Sequence, residues 1–333
     1  MDSSGSDADD LLSMLDRSAD ADVAGSWEML SERYRLDGRT PVDSALTTQH
    51  VQGYAVARAP ATFAATRAVM REIARRRPTW APLSLLDIGA GLGTSAWAGV
   101  ETFSSIGSVT LVERSAKMAS FGAALLSESS LQPLREAQWK EADAFSQTLP
   151  SADLVCASYI LGELDEDRVQ DVVSRWWASC SGELVLLNPG TPRGFANIVI
   201  ARTALLGLGA RLTAPCPSEG ACPMEDADWC HFAVRLQRTP NHRRMKDGSL
   251  GFEDEKFSYV VASRSEPQHP AGRLVRHPQV RSGHIRLSVC VDDSIREVVV
   301  GKARKAAFRW ARNASWGDEV PAEVVAPGSL QDS

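Results

Sequence analysis

A glycine-rich turn between a strand-like segment and a helix-like segment constrains the fold of this chain most strongly. SLLDIG has the apolar character of a buried strand, TSAWAGVETF has a helical pattern, and Gly89, Gly91 and Gly93 lie at the junction. Glycine permits a tight turn and lets a ligand approach the backbone without meeting a Cβ atom. Strand-like and helical segments continue to alternate up to about residue 210. This alternation predicts an α/β fold with a parallel sheet covered on both faces.

Acidic residues near the ends of three successive predicted strands suggest what the glycine turn binds. Asp87 precedes the first glycine, Glu113 ends the next strand and Asp143 follows the third. The D-x-G-x-G-x-G spacing resembles that of class I S-adenosylmethionine-dependent methyltransferases. The resemblance implies that Asp87 and the glycines hold the amino-acid part of S-adenosylmethionine, Glu113 the ribose and Asp143 the adenine. An NAD site and an ordinary strand-to-helix turn with surface acids are the alternatives.

Catalytic residues are not predicted by the sequence. Amino-methylating members of the superfamily carry an Asn/Asp-Pro-Pro-aromatic motif after the fourth strand, whereas this chain has CASYILGEL there. Tyr159 and Glu163 are the polar candidates in that segment. NPGTPRG at 188–194 is a candidate lining for an acceptor pocket, or a simple turn. Cys156 lies inside a predicted strand and, like Cys180, is expected to be a buried thiol.

Four other cysteines are candidate metal ligands. Three fall in one polar stretch and the fourth in an apolar strand-like run, IRLSVCV; they are Cys216, Cys222, Cys230 and Cys290. Thiolates are the soft ligands that zinc and iron–sulfur clusters prefer. C-x5-C-x7-C is not a zinc-knuckle spacing, and proline after two of these cysteines is typical of ferredoxin-type ligation. His231 and His242 keep zinc as an alternative, and four thiols without a metal are the third interpretation.

The charge distribution indicates a polyanion partner on one side of the molecule. Residues 1–50 carry 11 acidic against 4 basic side chains, whereas residues 231–312 carry 17 basic against 8 acidic ones. A solvated basic face is an equally good explanation. The candidate phosphate-binding residues are Arg273, Arg276, Arg281, Arg286, Lys302, Arg304, Lys305 and Arg309. Phe308 and Trp310 are candidates for stacking on an unpaired base, but residues of this type are more often part of a core.

Composition and patterning divide the chain into six segments. They are a disordered acidic tail (1–22), a helical N-terminal region (23–80), a cofactor-binding domain (81–210), a cysteine-rich metal segment with late strands (211–264), a basic β extension (265–317) and a tail (318–333). No apolar run approaches the roughly 20 residues that span a bilayer. The acidic start lacks the features of a secretory or organelle signal, so we expect a cytoplasmic protein, and we expect a monomer.

Longer motifs in the C-terminal half carry a second resemblance. APCP…CP…WCHF, EDEKFSYVV, RHPQVRSGHIRLSVC and a closing WGD are similar to the methyltransferase-like family of small-ribosomal-subunit proteins, which occurs in bacteria and as mitoribosome assembly factors. The resemblance covers most of residues 50–317.

This resemblance implies a class I methyltransferase sheet with a helical N-terminal region and a C-terminal β extension. It also implies a [4Fe–4S] cluster on the four cysteines and association with small-subunit rRNA during assembly. The leading hypothesis is therefore a methyltransferase or assembly factor that acts on small-subunit rRNA. The alternatives are a methyltransferase of a protein or small molecule, and a non-catalytic RNA-binding module held together by zinc.

Overall fold

Three helices precede the first strand in the computed structural model, which describes residues 4–18, 46–224, 228–246 and 249–326. They are α1 (Ser4–Arg17), α2 (Thr48–Ala57) and α3 (Ala59–Arg76). Helix α1 corrects the prediction of a disordered tail for residues 4–17, whereas residues 1–3 and 19–22 lie outside the described residues. Leu11 and Leu15, one helical turn apart, are fully buried, and burial of these two side chains outweighs the acidic composition around them. The helical pattern predicted over 27–36 lies outside the described residues.

The main sheet has eight strands. They are β1 (Ser84–Ile88), β2 (Ser108–Glu113), β3 (Gln138–Glu141), β4 (Ala152–Ser158), β5 (Cys180–Pro189), β6 (Arg211–Ala214), β7 (Phe232–Gln237) and β8 (Phe252–Ser263). Their order is β3-β2-β1-β4-β5-β8-β6, and β7 also pairs with β8. Strands β1 to β5 are parallel, whereas β8 is antiparallel to β5, β6 and β7. This sheet confirms the predicted α/β, Rossmann-like methyltransferase fold.

Helices cover both faces of the sheet. They are α4 (Thr94–Thr102), α5 (Ala116–Ser127), α6 (Gln132–Arg135), α7 (Glu166–Ala178), α8 (Pro192–Gly207) and α9 (Pro240–Met245), with a 3₁₀ turn at Leu161–Glu163. One apolar core includes Phe63 and Trp97, and the core on the opposite face includes Trp176 and Leu205. Each fully buried aliphatic or Phe side chain contributes about 1.5–3 kcal/mol. Of the described helices, none is both long and apolar enough to cross a membrane.

A small antiparallel sheet follows, with its own core. It contains β9 (Arg273–Leu274), β10 (Gln279–Val280), β11 (His284–Val291) and β12 (Ser294–Gly301), and α10 (Lys305–Asn313) and α11 (Ala322–Val325) complete the extension. Leu287 and Val289 on β11 are buried in that core. Because side chains alternate along a strand, Arg286 and Cys290 lie on the other face of β11. Phe308 and Trp310 pack against this core, which agrees with their interpretation as core residues rather than base-stacking residues.

Candidate functional site

The glycine loop between β1 and α4 has a backbone that favours glycine at three positions. Gly89, Gly91 and Gly93 have φ angles of 63°, 55° and 79°, in the left-handed region. A Cβ atom at Gly89 would lie 2.3 Å from Ile160 Cδ1, and one at Gly93 would lie 2.6 Å from Leu126 Cδ1. At Gly91 the nearest atom would be 3.7 Å away. Gly89 and Gly93 are therefore closely packed against side chains, whereas a Cβ atom at Gly91 would make only ordinary van der Waals contacts, with Met118 and Tyr54.

Two buried carboxyl groups hold this loop through its backbone. Glu113 accepts hydrogen bonds from the Gly91 N–H (2.8 Å) and the Ser115 N–H (2.9 Å). Asp87, only 1% exposed, accepts one from the Ala96 N–H at 3.0 Å. Burial raises the pKa of Asp87 to about 8 and also raises the pKa of Glu113. Both acids therefore organise the loop and the first turn of α4 before any ligand arrives.

Asp143 occupies the corresponding position after β3. Its carboxylate accepts hydrogen bonds from the Phe145 N–H (3.0 Å) and the Ser146 hydroxyl (2.8 Å). Strands β3, β2 and β1 are neighbours in the sheet, so Asp143, Glu113 and Asp87 all lie at the carboxyl ends of adjacent parallel strands. Ligands of open α/β sheets bind at this edge. The fold thus brings together the acids and glycines that the sequence predicts as a cofactor site.

Side chains from other segments lie close to the loop, and sequence reasoning missed them. The Tyr54 hydroxyl of α2 would be 3.8 Å from a Cβ atom at Gly91. Arg114, just after β2, forms an ion pair with Glu163 at 2.9 Å. Glu163 is one of the two polar candidates after β4, and its ion pair with Arg114 holds it near the glycine loop. No motif links Tyr54 or Arg114 to Glu163, so only the fold reveals them.

Tyr159, the other polar candidate, belongs to a buried charged cluster. It has a positive φ of 61°, unusual for a non-glycine residue. Its hydroxyl donates to Glu255 Oε1 at 2.8 Å, and Arg58 donates to the same oxygen at 2.9 Å. The Arg58 guanidinium also lies 4.2 Å from the centre of the Tyr159 ring. Burial, followed by the Glu255 charge, raises the pKa of Tyr159 well above its ordinary value. At neutral pH the phenol is therefore protonated and donates its hydrogen bond to Glu255.

The four candidate metal ligands line one pocket. Cys216 and Cys222 lie in the loop after β6, Cys230 precedes β7, and Cys290 lies on β11. Helix α8 contributes Phe195 and other side chains to the same pocket. Burial raises the pKa of Cys222, of Cys230 and of Cys290, the last to about 12. The thiols of these three residues are therefore protonated at neutral pH unless a cation displaces the protons.

The donor set of this pocket fits a thiolate-bound metal better than a mixed cysteine–histidine site. Neither candidate histidine lines the pocket. His231 instead stacks on Trp229, with ring centres 5.7 Å apart, and the His242 Nε2 atom is 3.3 Å from a Glu253 carboxylate oxygen. In the described ranges, no group of three or more His, Cys, Asp or Glu side chains is arranged to hold a metal ion as it stands. Ligation therefore requires the cysteine side chains to turn toward a shared centre.

Arg273 corrects the predicted set of phosphate-binding residues. It is 3% exposed, and its guanidinium donates to Pro215 O (2.9 Å), Gly317 O (2.8 Å) and Glu72 Oε1 (2.8 Å). Burial raises the pKa of the Glu72 carboxyl, but Arg273 and two neighbouring arginines lower it more, to about 2. Arg273 therefore ties α3 and the cysteine loop to the C-terminal extension. A charge count cannot separate such a residue from a surface arginine.

The remaining predicted phosphate ligands differ in how free they are. Arg276 is paired with Asp228, and Arg304 donates to Glu323 O. Both are partly buried. Arg286 is half exposed and lies 3.5 Å from Glu297. The exposed members of the set are Arg281, Arg286, Lys302, Lys305 and Arg309. These five residues are the accessible members of the predicted set, and Arg312 of the extension, outside that set, is exposed as well.

The family of the chain follows from comparison with known sequences. Residues 48–321 match the family described as "Mitochondrial small ribosomal subunit Rsm22". The chain therefore belongs to the Rsm22 family. This membership confirms the resemblance to methyltransferase-like small-ribosomal-subunit proteins.

The chain is similar to two named relatives and to one solved structure. The human "Ribosome assembly protein METTL17, mitochondrial" is 30% identical over 305 residues, which are 84% of this chain and 64% of the relative. The Schizosaccharomyces pombe "Rsm22-cox11 tandem protein 2, mitochondrial" is 28% identical over 302 residues, or 72% of this chain and 38% of the relative. The chain thus spans less than two thirds of either relative. Magnesium protoporphyrin IX methyltransferase from Synechocystis, solved with bound S-adenosylmethionine, superposes with a TM-score of 0.41 at 13% identity, covering 72% of this chain and 97% of that one. A likeness of this size carries no functional argument.

Proposed function

We propose that this Rsm22-family chain binds S-adenosylmethionine and acts on rRNA during assembly of the small ribosomal subunit. The observation that supports the cofactor is the glycine loop, where two buried carboxyl groups hold the backbone of three glycines in the left-handed conformation at the carboxyl ends of parallel strands. Gly89, Gly91 and Gly93 would hold the amino-acid part, supported by Asp87. Glu113 and Asp143 would bind the ribose and the adenine. Membership of the Rsm22 family supports the proposed role in assembly of the small ribosomal subunit.

Methyl transfer to rRNA and RNA scaffolding are the two activities compatible with this site. Bound S-adenosylmethionine would supply an electrophilic methyl group, and the chain would position the acceptor in line with it. Scaffolding without methyl transfer is the second candidate, because the hydroxyl of Tyr159, one of the two polar candidates after β4, is already engaged with Glu255. A methyltransferase for a protein or small molecule is the alternative if no RNA is bound.

The four cysteines of the pocket are proposed to hold a [4Fe–4S] cluster, with zinc as the alternative. Their support is the shared pocket and an all-thiol donor set. A cluster there would connect Cys290 of the extension to the loop that carries Cys216 and Cys222. We also propose a cytoplasmic location and a monomeric state. Both relatives named above are described as mitochondrial, so the location differs from theirs in this proposal.

Calorimetry with S-adenosylmethionine tests the cofactor site. We expect Glu113→Gln to weaken binding at least tenfold, because the neutral amide is a poorer acceptor for ribose hydroxyls and for the Gly91 N–H. The matched change Glu128→Gln, at an exposed position at the end of α5, is expected to leave binding unchanged. Absence of binding by the unaltered chain at millimolar ligand contradicts the proposal.

Metal analysis tests the pocket. Anaerobically purified protein is expected to contain iron and acid-labile sulfide in equal amounts, and Cys290→Ser is expected to lose most of both. Ser288→Ala, on the same face of β11, is the control and should retain them. Stoichiometric zinc without acid-labile sulfide would show that the cysteines bind zinc and not an iron–sulfur cluster.

Crosslinking to RNA in cells tests the partner. Small-subunit rRNA is expected among the crosslinked species, with binding that weakens steeply as salt rises. Replacement of Lys302, Lys305 and Arg309 by Gln should reduce the salt dependence and the affinity together. Recovery without small-subunit rRNA would favour a protein or small-molecule acceptor.

A further inference from the structure

One buried arginine at the cysteine pocket has a donor without a partner. Arg202 lies on α8, is 5% exposed and lines the pocket. Its Nη2 atom donates to Ser218 O (3.1 Å) and Gly220 O (2.7 Å). Its Nε–H is buried and has no hydrogen-bond partner among the described residues. Unpaired buried donors of this kind are rare in folded proteins, so this N–H requires an acceptor that the described residues do not supply.

The charge of Arg202 is also uncompensated. The other arginine of the pocket, Arg273, forms an ion pair with Glu72 at 2.8 Å. Within the described residues, Arg202 forms no ion pair, and both of its hydrogen bonds go to neutral carbonyl groups. A buried, unpaired guanidinium is unfavourable unless an anion lies nearby. Asp292 also lines the pocket but forms no ion pair with Arg202, so Arg202 has no anionic partner among the described residues.

A cysteine-ligated iron–sulfur cluster is an anion, and its sulfurs accept hydrogen bonds. We propose that Arg202 donates its Nε–H to a sulfur of the cluster and offsets the cluster's negative charge, thereby raising its reduction potential. This inference rests on the proposed [4Fe–4S] cluster and adds the residue that tunes it. Arg202 is a positioning residue as well, because its two carbonyl contacts hold the loop between Cys216 and Cys222. The partner of Arg202 is thus the cluster itself.

The physical sign of the effect follows from charge. Reduction adds an electron to an already anionic centre, so a nearby fixed cation favours the reduced form. Hydrogen bonds to cluster sulfurs act in the same direction. Removing the positive charge at Arg202 must therefore lower the reduction potential. A lysine at this position keeps the charge but cannot keep the guanidinium's set of donors.

The test uses the full chain, reconstituted anaerobically with iron and sulfide. Arg202→Gln and Arg202→Lys are compared with the unaltered protein by iron and sulfide content and by a dithionite titration followed by electron paramagnetic resonance. We expect Arg202→Gln to disfavour reduction at least tenfold, which is about 59 mV for one electron. Arg202→Lys is expected to show a smaller shift in the same direction.

A matched control separates pocket charge from loop anchoring. Arg211→Gln removes an exposed arginine that pairs with Glu219 of the same loop at 2.6 Å but does not line the pocket. It is expected to shift the equilibrium less than twofold. If Arg202→Gln loses the cluster while Arg202→Lys retains it, the charge requirement is supported.

Three outcomes overturn the inference. A cluster in Arg202→Gln with an unchanged potential shows that Arg202 does not interact with it. Loss of the cluster in Arg202→Lys as complete as in Arg202→Gln assigns the residue to loop anchoring alone. If the unaltered chain takes up no iron and sulfide, both the proposed cluster and the role of Arg202 are wrong. The first two results, in contrast, leave the proposal of a cluster in the unaltered chain untouched.

Discussion

The glycine loop and the cysteine pocket are built in opposite ways. The loop is held by backbone N–H groups that donate to carboxylates nearby in the chain, such as Gly91 to Glu113. The pocket combines a helix, a loop and a strand of a second sheet, and a long-range ion pair between Glu72 and Arg273 secures their junction. The first site is held mainly by hydrogen bonds between the loop backbone and residues of the neighbouring strands. The second depends on side-chain contacts between distant segments.

This difference determines how each site responds to change. In the loop, the sensitive atoms are backbone atoms, so the conformation and size of a single residue matter most. At the junction, the sensitive atoms are charged side-chain groups that are out of water. Removing one member of a buried pair leaves the other without compensation. We therefore expect side-chain truncation at the junction to have larger effects than any one substitution in the loop.

Truncation of Arg273 is the strongest test of this comparison. Arg273→Met removes three hydrogen bonds and one of the arginines that pair with Glu72, which keeps Arg75 and Arg76 as partners. We expect a loss of about 3–5 kcal/mol in the free energy of unfolding, measured by chemical denaturation, because each hydrogen bond from a charged group contributes about 1.5–3 kcal/mol and two carbonyl groups lose their donor. The control Arg309→Met alters an exposed arginine and should cost less than about 0.5 kcal/mol while weakening RNA binding. Normal stability of Arg273→Met with weakened RNA binding would restore Arg273 to the phosphate-binding set.

Alanine in the glycine loop tests the other side of the comparison. Gly93→Ala must adopt a φ of 79° and place its Cβ 2.6 Å from Leu126 Cδ1. We expect a cost of about 2–3 kcal/mol from backbone strain and overpacking together. Gly91→Ala has a similar φ but no close neighbour, so about 1 kcal/mol is expected from strain alone.

The same pair separates folding from binding. A Cβ atom at Gly91 would make only ordinary van der Waals contacts with the protein, and with the proposed cofactor bound it would also stand between the loop backbone and the ligand. Gly91→Ala should therefore reduce S-adenosylmethionine affinity by more than its stability loss explains, as measured by calorimetry on folded protein. Equal affinity in Gly91→Ala and the unaltered chain would place the cofactor elsewhere.

The features that follow from local patterns could be predicted from the sequence. Alternating strands and helices predicted the parallel part of the sheet, and the positions of Asp87, Glu113 and Asp143 near the ends of three successive predicted strands put them at one edge of it. The alternation in HIRLSVCV is compatible with a strand whose Cys290 faces away from Leu287 and Val289. These patterns have short periods, so a single sequence contains them completely.

The features that depend on tertiary packing could not be predicted. The acidic composition of the first residues concealed the buried pair Leu11 and Leu15. Arg273 has no sequence feature that distinguishes it from Arg309, because burial depends on which segments meet. Arg202 lies in a helix predicted from its apolar pattern, yet only the fold places it at the cysteine pocket. The count of basic residues therefore predicted only part of the exposed basic surface of the extension correctly.

The smallest effect we predict concerns Asp87, because the pH dependence of stability measures how strongly the loop is sealed from water. The pKa of Asp87 is raised by burial to about 8 in the folded chain, from 3.8. Between those values unfolding releases a proton, so the free energy of unfolding falls as pH rises and levels off above the folded pKa. Asp87→Asn should remove about 1 kcal/mol of this decline between about pH 6 and pH 7.

Asp153→Asn is the matched control for this measurement. The pKa of Asp153 is lowered because hydrogen bonds from Leu83, Ser84 and Ser181 outweigh the effect of burial. A lowered carboxyl pKa contributes stability that is lost only as pH falls below the ordinary range, so this variant should not change the slope near neutral pH. If Asp87→Asn leaves that slope unchanged as well, water reaches the loop and its carboxyl groups are charged. The contrast between a sealed backbone site and a side-chain junction would then no longer hold.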